Sequence, residues 1–317
     1  MLRIFPIGLL LAGVCTTSFA AVDSSLLALA PANSRIVAAV NVDGSRNSAF
    51  GQFLLRQFNV HDDGFQQLME QTGFDPRRDL QSVLLIAAPS QNSRAQGRFA
   101  VLARGSFDQN RIKEAARKKG SAVQRFQGVD LIVGNEGNDQ TVFAFPEAGL
   151  GIMGDLLSVK QVIQNQSHPP TLDPALQDQI SKVKANDAWF ASISLPPSFA
   201  ADVDPDLKKS MDHAQVLRSI VRSSGGINFG STSEVVLNAE TRSAQDATAL
   251  ADVIRFLSSM LQTQRGNDGK VALLAPALDS MKLEAAGSSV HMTLHLPESI
   301  LEQLATMQEK PAARSRR

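Results

Sequence analysis

Residues 98–120 read RFAVLARGSFDQNRIKEAARKKG, and two periodicities meet in them. Phe99, Val101 and Ala103 alternate with Ala100, Leu102 and Arg104, the period of a strand. Further on, Ile112, Ala115 and Ala116 share one face at helical spacing. Between the two stands Ser106, a residue type that caps helices, with Gln109 three positions later as its capping-box partner. Lys118, Lys119 and Gly120 supply the basic last turn and the stop. The unit is therefore strand, cap, helix.

Working outward, residues 234–261, EVVLNAETRSAQDATALADVIRFLSSML, follow the same plan. Val235, Leu237 and Ala239 lie on one strand face, and Ser243 with Asp246 occupies the cap positions. Ala247, Leu250, Ala251, Ile254, Leu257 and Leu261 form the helical stripe. The flanks also correspond. SVLLIAA (82–88) and SIVRSSGGINF (219–229) each read as a strand entering a hairpin. GLGIMGDLLSVKQVIQ (149–164) and HMTLHLPESILEQLATM (291–307) each run strand, break, Ser cap, short helix, with Ser158 and Gln161 matching Ser299 and Glu302. RIVAAVNV (35–42) and AWFASISL (188–195) are apolar opening strands. Short turns between neighbouring strands imply mainly antiparallel pairing. The expected fold is α+β, two similar tandem modules, each a mainly antiparallel sheet packed with helices.

Domain boundaries follow from the breakers. The first module spans 21–168 and the second 188–308. Residues 169–187 are expected as a linker with a short helix, because Pro169-Pro170 break the chain and Asp173-Pro174 start a helix. Residues 309–317 end in Arg314, Arg316 and Arg317 and read as a flexible basic tail. This order, with FDPRRDLQSVLLIA (74–87) and the strand–Gly–helix unit GIMGDLLSVKQVI (151–163), resembles secreted bacterial proteins built from duplicated β/α modules of unknown function. The resemblance implies an extracytoplasmic location and carries over no catalytic residue.

The N-terminus, MLRIFPIGLLLAGVCTTSFAAVD, has the layout of a secretory signal over residues 1–20. Arg3 gives the positive start and Ile7–Val14 the apolar run, which is shorter than the ~20 residues of a membrane span. Ser18 and Ala20 put small residues at the positions that a peptidase reads, so cleavage falls before Ala21. Cys15 is the one cysteine of the chain. Val14 stands before it, where a lipoprotein signal carries Gly, Ala or Ser, so lipidation at Cys15 is disfavoured. With the signal removed the chain has no thiol and no disulfide.

Lys plus Arg and Asp plus Glu are equal at 31 each, which leaves no long-range field to draw in nucleic acid. With one Trp and no Tyr, an aromatic stacking platform is disfavoured, and Trp189 reads as core. Three motifs invite chemistry and lose it in context. Gly149, Gly151 and Gly154 match G-x-G-x-x-G, but QTVFAFPEAGLGIMGD (140–155) reads as a hairpin turning near Glu147-Ala148, without the βαβ setting of a dinucleotide site. His291 and His295 would share a helix face, yet SSVHMTLHL (288–296) alternates as a strand with both histidines on the outer face, too far apart for one ion. Asp202, Asp204 and Asp206 open like a calcium loop, but Leu207 replaces the required Gly and His213 the closing Glu.

No catalytic, cofactor-binding or metal residue is assigned, and no G-x-S-x-G elbow is present. The expected function is a secreted or periplasmic, non-catalytic binding or scaffold protein, its partner a protein or envelope component. The alternatives are a carrier of an apolar ligand and a hydrolase with an unrecognised site.

Overall fold

A computed structural model describes residues 24–46, 48, 51–52, 69–88, 98–134, 141–194, 216–263, 269–300 and 303. The signal, Cys15, the cleavage residues Ser18, Ala20 and Ala21, the Asp202–Asp206 run, His61, His213 and the basic tail lie outside the described residues.

The strands are β1 (Ile36–Asn41), β2 (Leu80–Ala88), β3 (Arg98–Gly105), β4 (Ala122–Phe126), β5 (Val129–Val133), β6 (Thr141–Glu147), β7 (Leu150–Asp155), β8 (Ala188–Ser192), β9 (Ile220–Asn228), β10 (Thr232–Thr241), β11 (Lys282–Ala286) and β12 (Ser289–Pro297). They form one twelve-stranded sheet in the order β11-β12-β10-β9-β8-β1-β2-β3-β7-β6-β5-β4. Each neighbouring pair is antiparallel. The strands of both halves of the chain thus belong to one sheet, joined where β8 pairs with β1.

Helices of the described residues include α1 (Ser24–Ala28), α2 (Val42–Ser45), α3 (Pro76–Asp79), α4 (Gln109–Lys118), α5 (Leu156–Asn165), α6 (Pro174–Val183), α7 (Ala244–Thr263) and α8 (Gly269–Ser280). They divide between the two faces of the sheet. On the first face, Leu26 of α1, Val159, Val162 and Ile163 of α5, and Leu176, Ile180 and Val183 of α6 bury the inward residues of β1, β2, β3, β5, β6, β7 and β8. This is the main core. The segment expected as a linker contributes Leu172, Leu176, Ile180 and Val183 to it, because α6 carries an apolar stripe that has to be covered.

On the second face, α7 packs Ala247, Leu250 and Ala251 against Val290, with Ala239 and Leu283 at the margin. Ala277 and Leu273 of α8 meet Leu296 and Val235. At the other end of this face, Phe74, Phe107 and Phe145 stack in sequence, with centroids 5.3 and 5.5 Å apart. Phe107 covers Gly151, where an added Cβ would meet its ring at 3.3 Å.

The helix starts correct part of the sequence reading. Ser243 caps α7 as expected, its Oγ accepting from Asp246 N. Asp108, not Ser106, caps α4, accepting from Arg111 N. Asp155, not Ser158, caps α5, accepting from Leu157 N and Ser158 N. Ser299 lies within the helical backbone of residues 298–300. A carboxylate beside the first free amides outcompetes a more distant hydroxyl, because it adds charge to the same hydrogen bond.

Candidate interaction face

The register builds one continuous row across the second face. Leu283 pairs with Met292, Met292 with Leu237, and Leu237 with Gly225. Gly225 stands opposite Phe190, Phe190 opposite Ala38, and Ala38 opposite Leu85. Leu85 then meets Val101, Val101 meets Met153, and Met153 meets Phe143. Ile132 and Val123 complete the row on β5 and β4. Every one of the twelve strands contributes an apolar residue or glycine. An adjacent row, from Leu294 through Val235, Ile227, Ala188, Val40, Val83 and Ala103 to Gly151, is also free of polar side chains.

Among the described residues, helices and rings cover both ends of these rows and none covers the middle. Val40, Leu85, Phe99 and Phe190 are 37–38% exposed and Phe143 39%. For residues standing in the middle of a sheet, flanked by paired strands, that exposure means that their outward ends meet water. An antiparallel sheet with one wetted face normally alternates apolar with polar side chains. Here β1, β2 and β3 are apolar on both faces: Val37, Leu84, Ile86 and Leu102 point into the core, while Val40, Leu85 and Phe99 point out of it. The Phe190 ring leans over Gly225 on the neighbouring strand, where a Cβ would lie 2.6 Å from it. The open area therefore spans the β8–β1 seam.

Polar chemistry collects on the first face of β9, β10 and β12, beside α6. Gln179, fully buried, donates from Nε2 to Glu240 Oε1 at 2.5 Å and accepts from Ser224 Oγ at 3.1 Å. Asn238 Nδ2 donates to Ser224 Oγ at 3.3 Å, and Asn238 Oδ1 lies 2.7 Å from His291 Nδ1. Since that amide oxygen only accepts, His291 carries its proton on Nδ1. Glu240 also binds Lys182 at 2.7 Å and Arg222 at 3.0 Å. Burial pushes the Glu240 carboxyl up, but Lys182, Gln179 and Arg222 outweigh it and hold it below the usual range. Burial likewise pulls the Lys182 ammonium down, and its bonds to Asp178 and Glu240 leave it raised. Each member of this network already has a partner, and the chain of hydrogen bonds docks α6 on the second half of the sheet. Among the described residues no Ser Oγ is hydrogen-bonded to His291: Asn238 stands between Ser224 and the ring, and the hydroxyl beside Nε2 is that of Thr293, 3.2 Å away on the same strand.

The other sequence candidates fall into structural roles. Gly149 forms the β6–β7 turn with φ +77°. Gly151 and Gly154 lie within β7, and a Cβ on Gly154 would sit 2.3 Å from Phe99 O. The glycine run is therefore a hairpin strand pressed against β3. His291 and His295 are on β12, two residues either side of Thr293, as a strand places them. His168 follows α5 near the other end of the sheet, so the described histidines do not converge. Among the described residues, no three His, Cys, Asp or Glu side chains gather as a metal site would need. Trp189 is buried in the main core. Among the described residues, no helix is long and apolar enough to cross a membrane.

No family model and no curated protein matches the chain. Among solved structures, crystal form IV of TP0453 aligns with a TM-score of 0.48 at 10% identity, covering 90% of this chain and 96% of that one. Crystal form I of TP0453 aligns with a TM-score of 0.46 at 11% identity, covering 92% and 100%.

Proposed function

We propose that the protein is an exported, non-catalytic binding or scaffold protein of the cell envelope whose working surface is the open apolar face across the β8–β1 seam. The observation that carries this reading is the unbroken apolar row, left exposed between Phe190 and Phe143. Contiguous exposed apolar surface on a folded protein marks an interaction site. Export rests on the signal-like N-terminus, with cleavage before Ala21.

A duplicated origin is part of the same proposal. The order β1-β2-β3-α4 with β6-β7 parallels β8-β9-β10-α7 with β11-β12, and the sheet order runs outward from the seam as β1-β2-β3-β7 on one side and β8-β9-β10-β12 on the other. Two related halves joined through their first strands create a surface that neither half has alone.

The test places a photocrosslinking residue at Leu85 or Phe190 of the full-length protein in its native cell. Glu284, exposed on the polar face of β11, is the control position. A discrete adduct at Leu85 and Phe190 and none at Glu284 is the expected result. Equal labelling at all three positions would remove the face as a specific surface.

A further inference from the structure

Independently of the open face, we infer that the protein pairs with a second copy of itself through β11, the two strands running antiparallel about a two-fold axis at Leu283. β11 ends the sheet. β12 pairs with its inner side, and among the described residues no strand pairs with its outer side. A strand in that position presents a row of unmade backbone hydrogen bonds. The edge is pre-formed, because the turn at Gly287-Ser288, with Gly287 at φ +56°, sets five residue pairs between β11 and β12. Lys282, Glu284, Ala285 and Ala286 are exposed along it. Leu283 meets α7 from the second face, above the plane in which strands pair.

Charge names the occupant. Lys282 and Glu284 stand two residues apart, so both project from the polar face of the sheet. Among the described residues neither has an ion-pair partner. Their inner neighbours are Thr293 and His291, and His291 is already engaged by Asn238 and Thr293. An axis at Leu283 sets Lys282 of each copy opposite Glu284 of the other. An axis at Glu284 would set two carboxylates face to face, and an axis at Lys282 two ammonium groups. Opposite charges directly across a strand pair attract and like charges repel, so one register is selected. A lysine alone defends an edge against pairing. Lys282 together with Glu284 admits the same strand inverted.

The other end of the sheet does not offer this. β4 carries Arg125 and no acid, and the chain enters it through Arg117, Lys118 and Lys119. Two β4 strands would set cations against cations. A β4–β11 contact is head-to-tail and grows without closing, whereas the β11 pair is isologous and closes at two. Main-chain hydrogen bonds supply the affinity of strand addition, and side chains its specificity. With so short a strand, the dimer is weak and depends on concentration.

The experiment is sedimentation velocity of the purified full-length protein at rising concentration, where monomer should pass into dimer. Lys282→Glu and Glu284→Lys should each weaken the dimer about tenfold or more, because two attractive pairs become two repulsive ones. The double variant Lys282→Glu/Glu284→Lys should restore it. In a Cys15→Ser background, Lys282→Cys and Glu284→Cys should form an intermolecular disulfide when mixed, and far less of it when either is alone, since the axis sets these two positions opposite each other. A monomer at every concentration overturns the inference, and is the result expected if a segment of this chain occupies the edge. A dimer that survives both charge reversals, a double variant that fails to restore it, or assemblies growing beyond two also overturn it. So does a disulfide as strong in either variant alone as in the mixture. Adducts at Leu85 and Phe190 test the open face separately. A photocrosslinking residue at Glu284 removes the carboxylate that the pairing needs, so that position stays the silent control there.

Discussion

Glu240 shows how single side chains hold the two halves together. Its two oxygens take hydrogen bonds from Gln179 and Lys182 of α6 and from Arg222 of β9. Replacing it by Gln removes the charge that Lys182 and Arg222 face, and should lower stability by about 1–2 kcal/mol at pH 7 in urea unfolding. The pH dependence follows from the directions. The Glu240 carboxyl is lowered on folding, so its contribution is present above the ordinary glutamate range and disappears as pH falls through the folded value. The Lys182 ammonium is raised, so its contribution holds below the ordinary lysine range and disappears in strong alkali. Glu240→Gln should therefore lose less stability than the native protein on going from pH 6 to pH 3. A parallel acid limb in the two proteins would show that Glu240 does not titrate with folding. Gly154 is the other residue under tight constraint. Gly154→Ala drives a methyl group into Phe99 O and should cost about 2–4 kcal/mol, read as a drop in melting temperature.

At the scale of elements, local signals and local chemistry part company at the helix starts. The sequence pattern placed α4 and α5 correctly, since an apolar stripe at helical spacing needs only one covering surface. It misassigned their caps, because Ser106 and Asp108, like Asp155 and Ser158, are both plausible on residue type, and the backbone path chooses between them. Asp108→Ala should destabilise by about 1 kcal/mol and Ser106→Ala by a few tenths, measured by chemical denaturation. The reverse order would return the cap to Ser106. The hairpin β6–β7 was legible for a different reason: a positive-φ turn at Gly149 and alternating flanks leave few other conformations. The histidine strand was legible too, because period-2 alternation through Val290, Met292 and Leu294 has no helical reading.

For the whole molecule, the decisive contacts are distant in sequence. Trp189 and Ala191 of β8 sit in the same core as Leu26 and Val159, and α6 lies across the seam. Leu176→Ala should therefore cost about 2–5 kcal/mol, the loss expected of a buried leucine; a cost below ~0.5 kcal/mol would mean that residues 169–187 behave as an exposed connection. Fluorescence of Trp189, the one tryptophan, reports from the seam. Its unfolding transition should coincide with that of far-ultraviolet circular dichroism, because one sheet spans both halves. Two separated transitions would mean two independently folding units. The open face was the feature that sequence reading passed over. Its signal was present in IVAAV (36–40), VLLIAA (83–88) and FAVLA (99–103), runs apolar on both faces, which is the pattern of strands covered from two sides. Without register, nothing in those runs says that their outward residues align into one row.

By itself the sequence determined the strand–helix units β3–α4 and β10–α7, the helix α5 and the β6–β7 hairpin, because each depends on periodicity and turn chemistry within some thirty residues. It also argued against a dinucleotide site, an ordinary calcium loop and a paired-histidine site at the motifs that suggested them. Only the tertiary structure decided that β1 and β8 pair, that α6 belongs to the core, and that apolar residues from all twelve strands line up, with Val40, Leu85, Phe143 and Phe190 exposed. Those outcomes depend on which strand edges meet and which faces are left over. Both are set by packing of segments far apart in the chain, which local patterns do not encode.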